Sequence, residues 1–116
     1  ALTSLNLAYC YKVTDEGVRA VCNSLPAMTS LNLDRCTKVT DEGVRAVCSS
    51  LPALTCLNLT WCYNVTDEGV LALSSLPALT HLNLLYCQKV TAAGVQALRS
   101  STAAPSLHIV SFHSAV

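Results

Sequence analysis

The sequence predicts a right-handed α/β solenoid, with a parallel sheet on its concave side and helices on its convex side. Three observations carry that prediction. One motif opens at Leu2, Met28, Leu54 and Leu79, at intervals of 26, 26 and 25 residues. Each copy divides into a half with period two and a half with helical period. A single strand and helix cannot bury both apolar faces alone, whereas stacked copies can.

The strand half comes first. In "LTSLNL", Leu5 and Leu7 alternate with Ser4 and Asn6, which is the pattern of a strand with one buried face. The helix half follows in "VTDEGVRAVCNSLP", where Val18, Val21, Cys22 and Leu25 recur at i, i+3, i+4 and i+7. Thr14 is placed to cap this helix, and Asp15 and Glu16 fall in its first turn, where negative charge meets the positive end of the helix dipole. Pro26 stands where the helix must stop. The second copy repeats these elements, and the third is one residue shorter in its helix. The fourth reads "VTAAGVQALRSSTAAP", without the two acids and with a longer final loop. A partial fifth copy places Leu107, Val110 and Phe112 at the apolar strand positions, so a closing strand is expected near Val110 to Phe112. The 116 residues thus read as one domain with repeats 2–27, 28–53, 54–78 and 79–105 and a partial closing repeat 106–116.

In register, the copies share L-x-x-L-x-L-x-x-C-x-x-V-T-D-x-G-V, three times intact and once decayed. This motif resembles the leucine-rich repeat, in the cysteine-containing subtype found in many F-box-type receptors. The resemblance runs from Leu2 to Phe112 and implies the solenoid fold and a role in protein recognition. Where that subtype often carries a cysteine before the final proline, this chain has Leu25, Leu51 and Leu76, which fill the same apolar slot.

Composition excludes several classes. The formal net charge is zero and there is no basic run, so nothing favours nucleic acid or an anionic membrane surface. No apolar run approaches the ~20 residues of a membrane span. The alternating "ALTSLNLAYC" is not a signal peptide. The chain opens on Ala1 without methionine, which suggests a fragment or a processed chain. Seven cysteines, an odd number without a Cys-x-x-Cys pair, read as free thiols in a reducing, intracellular compartment, the cytoplasm by preference.

The constant letters read as scaffold. Cys10, Cys36, Cys62 and Cys87 should form a row along parallel strands about 4.8 Å apart. A row cannot surround a zinc ion tetrahedrally, so each thiol is expected to pack inside its turn and donate to a backbone carbonyl. A thiol or metal site on this row is the weaker reading. Asp15, Asp41 and Asp67 are explained by capping and the helix dipole. Asp15 with Arg19, and Asp41 with Arg45, also have ion-pair spacing. Glycines 17, 43, 69 and 94 are expected to let the helix approach the turn closely. Asn6, Asn32, Asn58 and Asn83 should point onto the concave face and exchange amide hydrogen bonds along a column. The N-x-T triplets at Asn58 and Asn64 are treated as chance. His81, His108 and His113 have no metal-ligand spacing. No catalytic arrangement is present, so the chain is read as no enzyme, and no cofactor is expected.

The changing letters read as function. The first two copies differ at only five of 26 positions. Across all copies the variable columns are Ser4, Ser30, Cys56 and His81; Ala8, Asp34, Thr60 and Leu85; Tyr9, Arg35, Trp61 and Tyr86; and Tyr11, Thr37, Tyr63 and Gln88. Five of the chain's six aromatic residues lie in these columns, and Tyr, Trp and Arg are the residues most enriched at binding hot spots. The expected partner is another protein, held by the concave face and adjacent loops through Tyr9, Tyr11, Asp34, Arg35, Trp61, Tyr63, His81, Tyr86 and Gln88, with Trp61 central. The alternative is a structural or engineered scaffold with no partner, which the near-identical copies favour. A bare first strand and an apolar tail also lead to an expectation of end-to-end self-association.

Overall fold

The computed structural model describes residues 2–102 and 106–111. Five three-residue strands, β1 (Ser4–Asn6), β2 (Ser30–Asn32), β3 (Cys56–Asn58), β4 (His81–Asn83) and β5 (His108–Val110), form one parallel sheet in chain order. Helices α1 (Asp15–Ser24), α2 (Asp41–Ser50), α3 (Asp67–Ala72) and α4 (Ala92–Ser101) form the second layer. The register joins identical motif positions: Ser4, Ser30, Cys56, His81 and His108 stand side by side, and so do Leu5, Leu31, Leu57, Leu82 and Ile109. This is an α/β solenoid. In the third repeat, one residue fewer separates Val70 from the proline, and the helix ends in a 3-10 turn, Leu73–Ser75, because i→i+3 bonding shortens the path.

The core lies between sheet and helices. Leu31, Leu33, Cys36, Val39, Val44, Val47 and Leu51 of the second repeat are fully buried, and so are their third-repeat counterparts from Leu57 to Leu76. The first repeat differs: Leu5, Leu7 and Val13 are only half-buried, Cys10 is exposed, and Leu2 is 47% exposed. Burial therefore comes from the neighbour, as stacking requires. The closing strand corrects the expected register by one residue. Ile109, not Val110, occupies the buried leucine position, and Val110 pairs with Asn83. The expectation for Phe112 and His113 lies outside the described residues.

The constant letters turn out to be ties between repeats. Threonine hydroxyls at Thr29, Thr55 and Thr80 donate to the carbonyls of Thr3, Thr29 and Thr55. The thiols of Cys36, Cys62 and Cys87 donate to the carbonyls of Leu7, Leu33 and Leu59 at 3.2, 3.2 and 3.0 Å, as the sequence suggested. Burial pushes the Cys22, Cys36 and Cys87 thiols up from 9.0 to about 11, with neighbouring Cys48 and Cys10 adding to the effect at Cys22 and Cys36; burial also raises Cys62 strongly. Such thiols are packing groups rather than nucleophiles.

The aspartates need a correction. Each helix is capped by its threonine, Thr14, Thr40, Thr66 or Thr91. The aspartate after the cap does not pair with the arginine four residues on. Asp15 accepts from Thr40 N (2.8 Å) and Thr40 Oγ1 (2.6 Å); Asp41 does the same with Thr66, and Asp67 with Thr91. Arg45 instead meets Glu42 and Glu68. Two charge-assisted bonds to a preorganised cap outweigh an exposed ion pair worth at most ~1 kcal/mol. These staples also explain Gly43, Gly69 and Gly94, though not Gly17, which no preceding carboxylate approaches. A Cβ at Gly43 would stand 2.5 Å from Asp15 Oδ1, and one at Gly94 would run into Asp67. What approaches closely is the carboxylate of the preceding repeat.

Candidate functional site: an aromatic ridge on the loops

Each of strands β1 to β4 runs into a β-turn closed by a Cys N–H donating to a leucine carbonyl: Leu7–Cys10, Leu33–Cys36, Leu59–Cys62 and Leu84–Cys87. The third residue of each turn has positive φ: Tyr9 (66°), Arg35 (62°), Trp61 (62°) and Tyr86 (62°). That is the signature of a type II turn, whose third position normally belongs to glycine or asparagine. A bulky residue there costs about 1–2 kcal/mol in backbone strain. The asparagines two residues before the loop hold the geometry. Asn6, Asn32, Asn58 and Asn83 each accept at Oδ1 from the N–H two residues on, at 2.9 to 3.0 Å. This is an Asx-type bond within each repeat, in place of the expected amide exchange along the column.

The four turn residues meet in a line. Arg35 lies with Cζ 4.6 Å from the Tyr9 ring centre and 5.5 Å from that of Trp61. Its Nη1 donates to Tyr9 Oη at 2.6 Å and pairs with Asp34 at 3.2 Å. Trp61 stacks on Tyr86, with centroids 4.3 Å apart and planes 13° from parallel. A second row stands edge-on to the first: Tyr11 against Tyr9 (6.4 Å, 80°) and Tyr63 against Trp61 (5.6 Å, 86°). Tyr9 is 56% and Tyr86 42% exposed, whereas Trp61 and Arg35 are half-buried by their neighbours.

Thr37 interrupts the second row. With Tyr11, Arg35, Trp61 and Tyr63 it lines a cavity of about 240 Å³. Gln88 continues the row beyond Tyr63 and is exposed. His81 stands apart on the open sheet face, 6.0 Å from His108 by ring centres, with Nδ1 2.9 Å from Thr80 Oγ1. These two histidines, Ser30, Cys56 and Asn32, Asn58 and Asn83 line a shallow depression of about 360 Å³ across the sheet. The fold thus brings Tyr9, Tyr11, Asp34, Arg35, Trp61 and Tyr63 together, extends the line to Tyr86, and leaves His81 as a separate feature of the concave face. Among the described residues, no three side chains are grouped to hold a metal ion, and no helix is long and apolar enough to cross a membrane.

Sequence reading missed the turn geometry. Nothing in Tyr, Arg or Trp announces positive φ; the only available signal was the asparagine three residues earlier, at a constant distance from the variable letter.

No curated protein matches the chain. A chain in the crystal structure of the yeast Rad7 and Elc1 complex has a similar fold, with a TM-score of 0.77 and 22% identity; the match covers 93% of the present chain and 27% of that one. The present chain therefore spans about a quarter of its structural neighbour. The leucine-rich repeat family model matches residues 2–22, 25–48, 50–74 and 75–98. With the motif, the stacked parallel register and this match over most of its length, the chain belongs to the leucine-rich repeat family.

Proposed function

We propose that the chain is a non-catalytic recognition module that holds a protein partner on its concave face and on the loops at the sheet's C-terminal edge. Trp61 is the central anchor, Arg35 and Tyr86 flank it, and Tyr9, Tyr11, Asp34, Tyr63, His81 and Gln88 surround it. One observation carries this reading: a loop position that varies between the copies is also the position with positive φ, and in all four copies it is filled by a bulky side chain. Stacking returns about 0.5–1.5 kcal/mol per aromatic pair, and a cation–π contact about 0.5–1. That roughly offsets the strain and adds little to stability. Glycine or asparagine would serve the fold as well, so the bulky residues are explained better by what they present. Family membership, and a neighbour of like fold crystallised in a complex, are in keeping with this reading. The test is an alanine series against a partner isolated with the intact chain. Trp61→Ala and Arg35→Ala should each weaken binding at least tenfold, while Arg19→Ala and Ser49→Ala on the helices should not. The reverse pattern would place recognition on the convex side.

A further inference from the structure

The slot over Thr37 and the charge of its surroundings say what kind of segment fits it. Tyr11 and Tyr63 belong to repeats two strands apart, so their columns stand about 10 Å from each other, with the short Thr37 between them. Ligand pockets for small molecules run from ~300 to 1,000 Å³. At about 240 Å³ the cavity is smaller and suits one side chain of a longer ligand. Its walls are Tyr11, Trp61 and Tyr63, the methyl-bearing Thr37 and Arg35.

The four ridge loops, 8–12, 34–38, 60–64 and 85–89, carry Lys12, Arg35, Lys38 and Lys89 and a single acid, Asp34. The one acid is bound to Arg35. The lysines directly follow the second-row positions Tyr11, Thr37 and Gln88, and all three are exposed. The neutral net charge of the chain thus hides a cationic loop edge, offset by acids at the helix starts. The faces of Trp61 are already covered, by Tyr86 on one side and Arg35 towards the other. Bases of a single-stranded nucleic acid need open faces to stack on. Around that covered centre the ridge offers tyrosine hydroxyls and cations, which suit an acidic peptide.

We infer that the loop edge binds an extended, acidic peptide segment of its partner, with one aromatic side chain of that segment seated over Thr37 between Tyr11 and Tyr63. This rests on the recognition role proposed above and adds the chemistry of the ligand. Lys12 stands on the Tyr11 side of the seated ring and Lys38 beside Thr37 beneath it; both meet carboxylates of the segment, and Arg35 closes one wall.

The experiment uses a capped, fluorescein-labelled peptide of four glutamates around a central phenylalanine, followed by anisotropy. Trp61 is the only tryptophan, so its emission reports directly from the slot. Binding should perturb that emission, weaken at least fivefold when the phenylalanine is replaced by alanine, and be abolished when the glutamates are replaced by lysines. Filling the slot with Thr37→Trp should weaken it at least tenfold. Lys12→Glu with Lys38→Glu should do the same and flatten the salt dependence, because exposed charges are screened by salt. Equal binding of the lysine peptide, indifference to Thr37→Trp, or preference for an oligothymidylate strand would overturn the inference. Selection from a random peptide library, with Trp61→Ala as counter-selection, separates two kinds of failure. Enrichment of acidic sequences with one aromatic supports the assignment. Trp61-dependent enrichment of any other composition removes it but leaves the recognition role standing. No Trp61-dependent enrichment removes both.

Discussion

Gly17 and Gly69 occupy the same place in the same local sequence, V-T-D-E-G-V, yet alanine should act on them with opposite sign. At Gly17 a Cβ would meet only Val13 at 3.7 Å and Thr14 Oγ1 at 4.0 Å, both ordinary contacts. Gly17→Ala should therefore stabilise by a few tenths to ~1 kcal/mol, through helix propensity and a less free unfolded chain. At Gly69 the same methyl would run into Asp41 Oδ1 and lie 3.0 Å from its Cγ and 3.3 Å from its Cα. The carboxylate must move, and it is the group that accepts from Thr66 N and Oγ1 at 2.8 and 2.6 Å. Hydrogen bonds to a charged group are worth about 1.5–3 kcal/mol each. These are only partly buried, so the lower half of that range applies, and Gly69→Ala should cost about 2–4 kcal/mol net. Urea unfolding of the two variants measures both values. Coupling gives the sharper check: with Asp41→Ala already made, Gly69→Ala should become neutral or mildly stabilising, an interaction of ~2 kcal/mol or more. Equal effects at Gly17 and Gly69, or simple additivity with Asp41→Ala, would show that the staple does not govern the glycine.

Other consequences can be measured on the same chain. The native state keeps the Cys22, Cys36 and Cys87 thiols protonated up to about pH 11, whereas an unfolded thiol loses its proton near 9; stability should be complete below pH 9 and fall between about 9 and 11. A urea midpoint that stays level across that interval, or one no less sensitive in Cys36→Ala, would contradict the buried-thiol account. Thiol labelling of the native protein should modify Cys10 first and leave Cys36 and Cys62 protected until unfolding, since Cys10 alone of the three is exposed. Arg35→Gly exchanges strain of about 1–2 kcal/mol for lost contacts of similar size, so its unfolding free energy should change by under ~1 kcal/mol even as partner binding falls. The half-buried Leu5 and Leu7 and exposed Leu2 on the open β1 edge should drive concentration-dependent end-to-end association; sedimentation that stays monomeric at high concentration would refute it.

The repeat, the strand and helix of each copy, the threonine caps and the separation of constant from variable letters were all legible in the sequence, and so was the row of thiols, of which Cys36, Cys62 and Cys87 are buried and Cys10, with no preceding repeat beside it, is exposed. All of these are local or periodic properties, and a periodic chain shows them once for every copy. It also placed the aromatic residues on the loops, because the variable columns flank a fixed cysteine. Which atom meets which across the repeats depended on the stacking. The Asp15–Arg19 spacing was compatible with an ion pair, but stacking brought Thr40 within reach, and a cap with two donors outcompeted a solvated arginine. The closing strand had no motif left to fix its register, and burial of Ile109 against the fourth repeat set it one residue away from the sequence reading. The positive φ of Tyr9, Arg35, Trp61 and Tyr86 was likewise illegible. Backbone conformation there follows from the turn and, at Tyr9, Arg35 and Trp61, from an N–H donated to the next repeat, and not from the residue that adopts it. Letters reveal periodicity and preference; only the packed neighbour determines which preference yields.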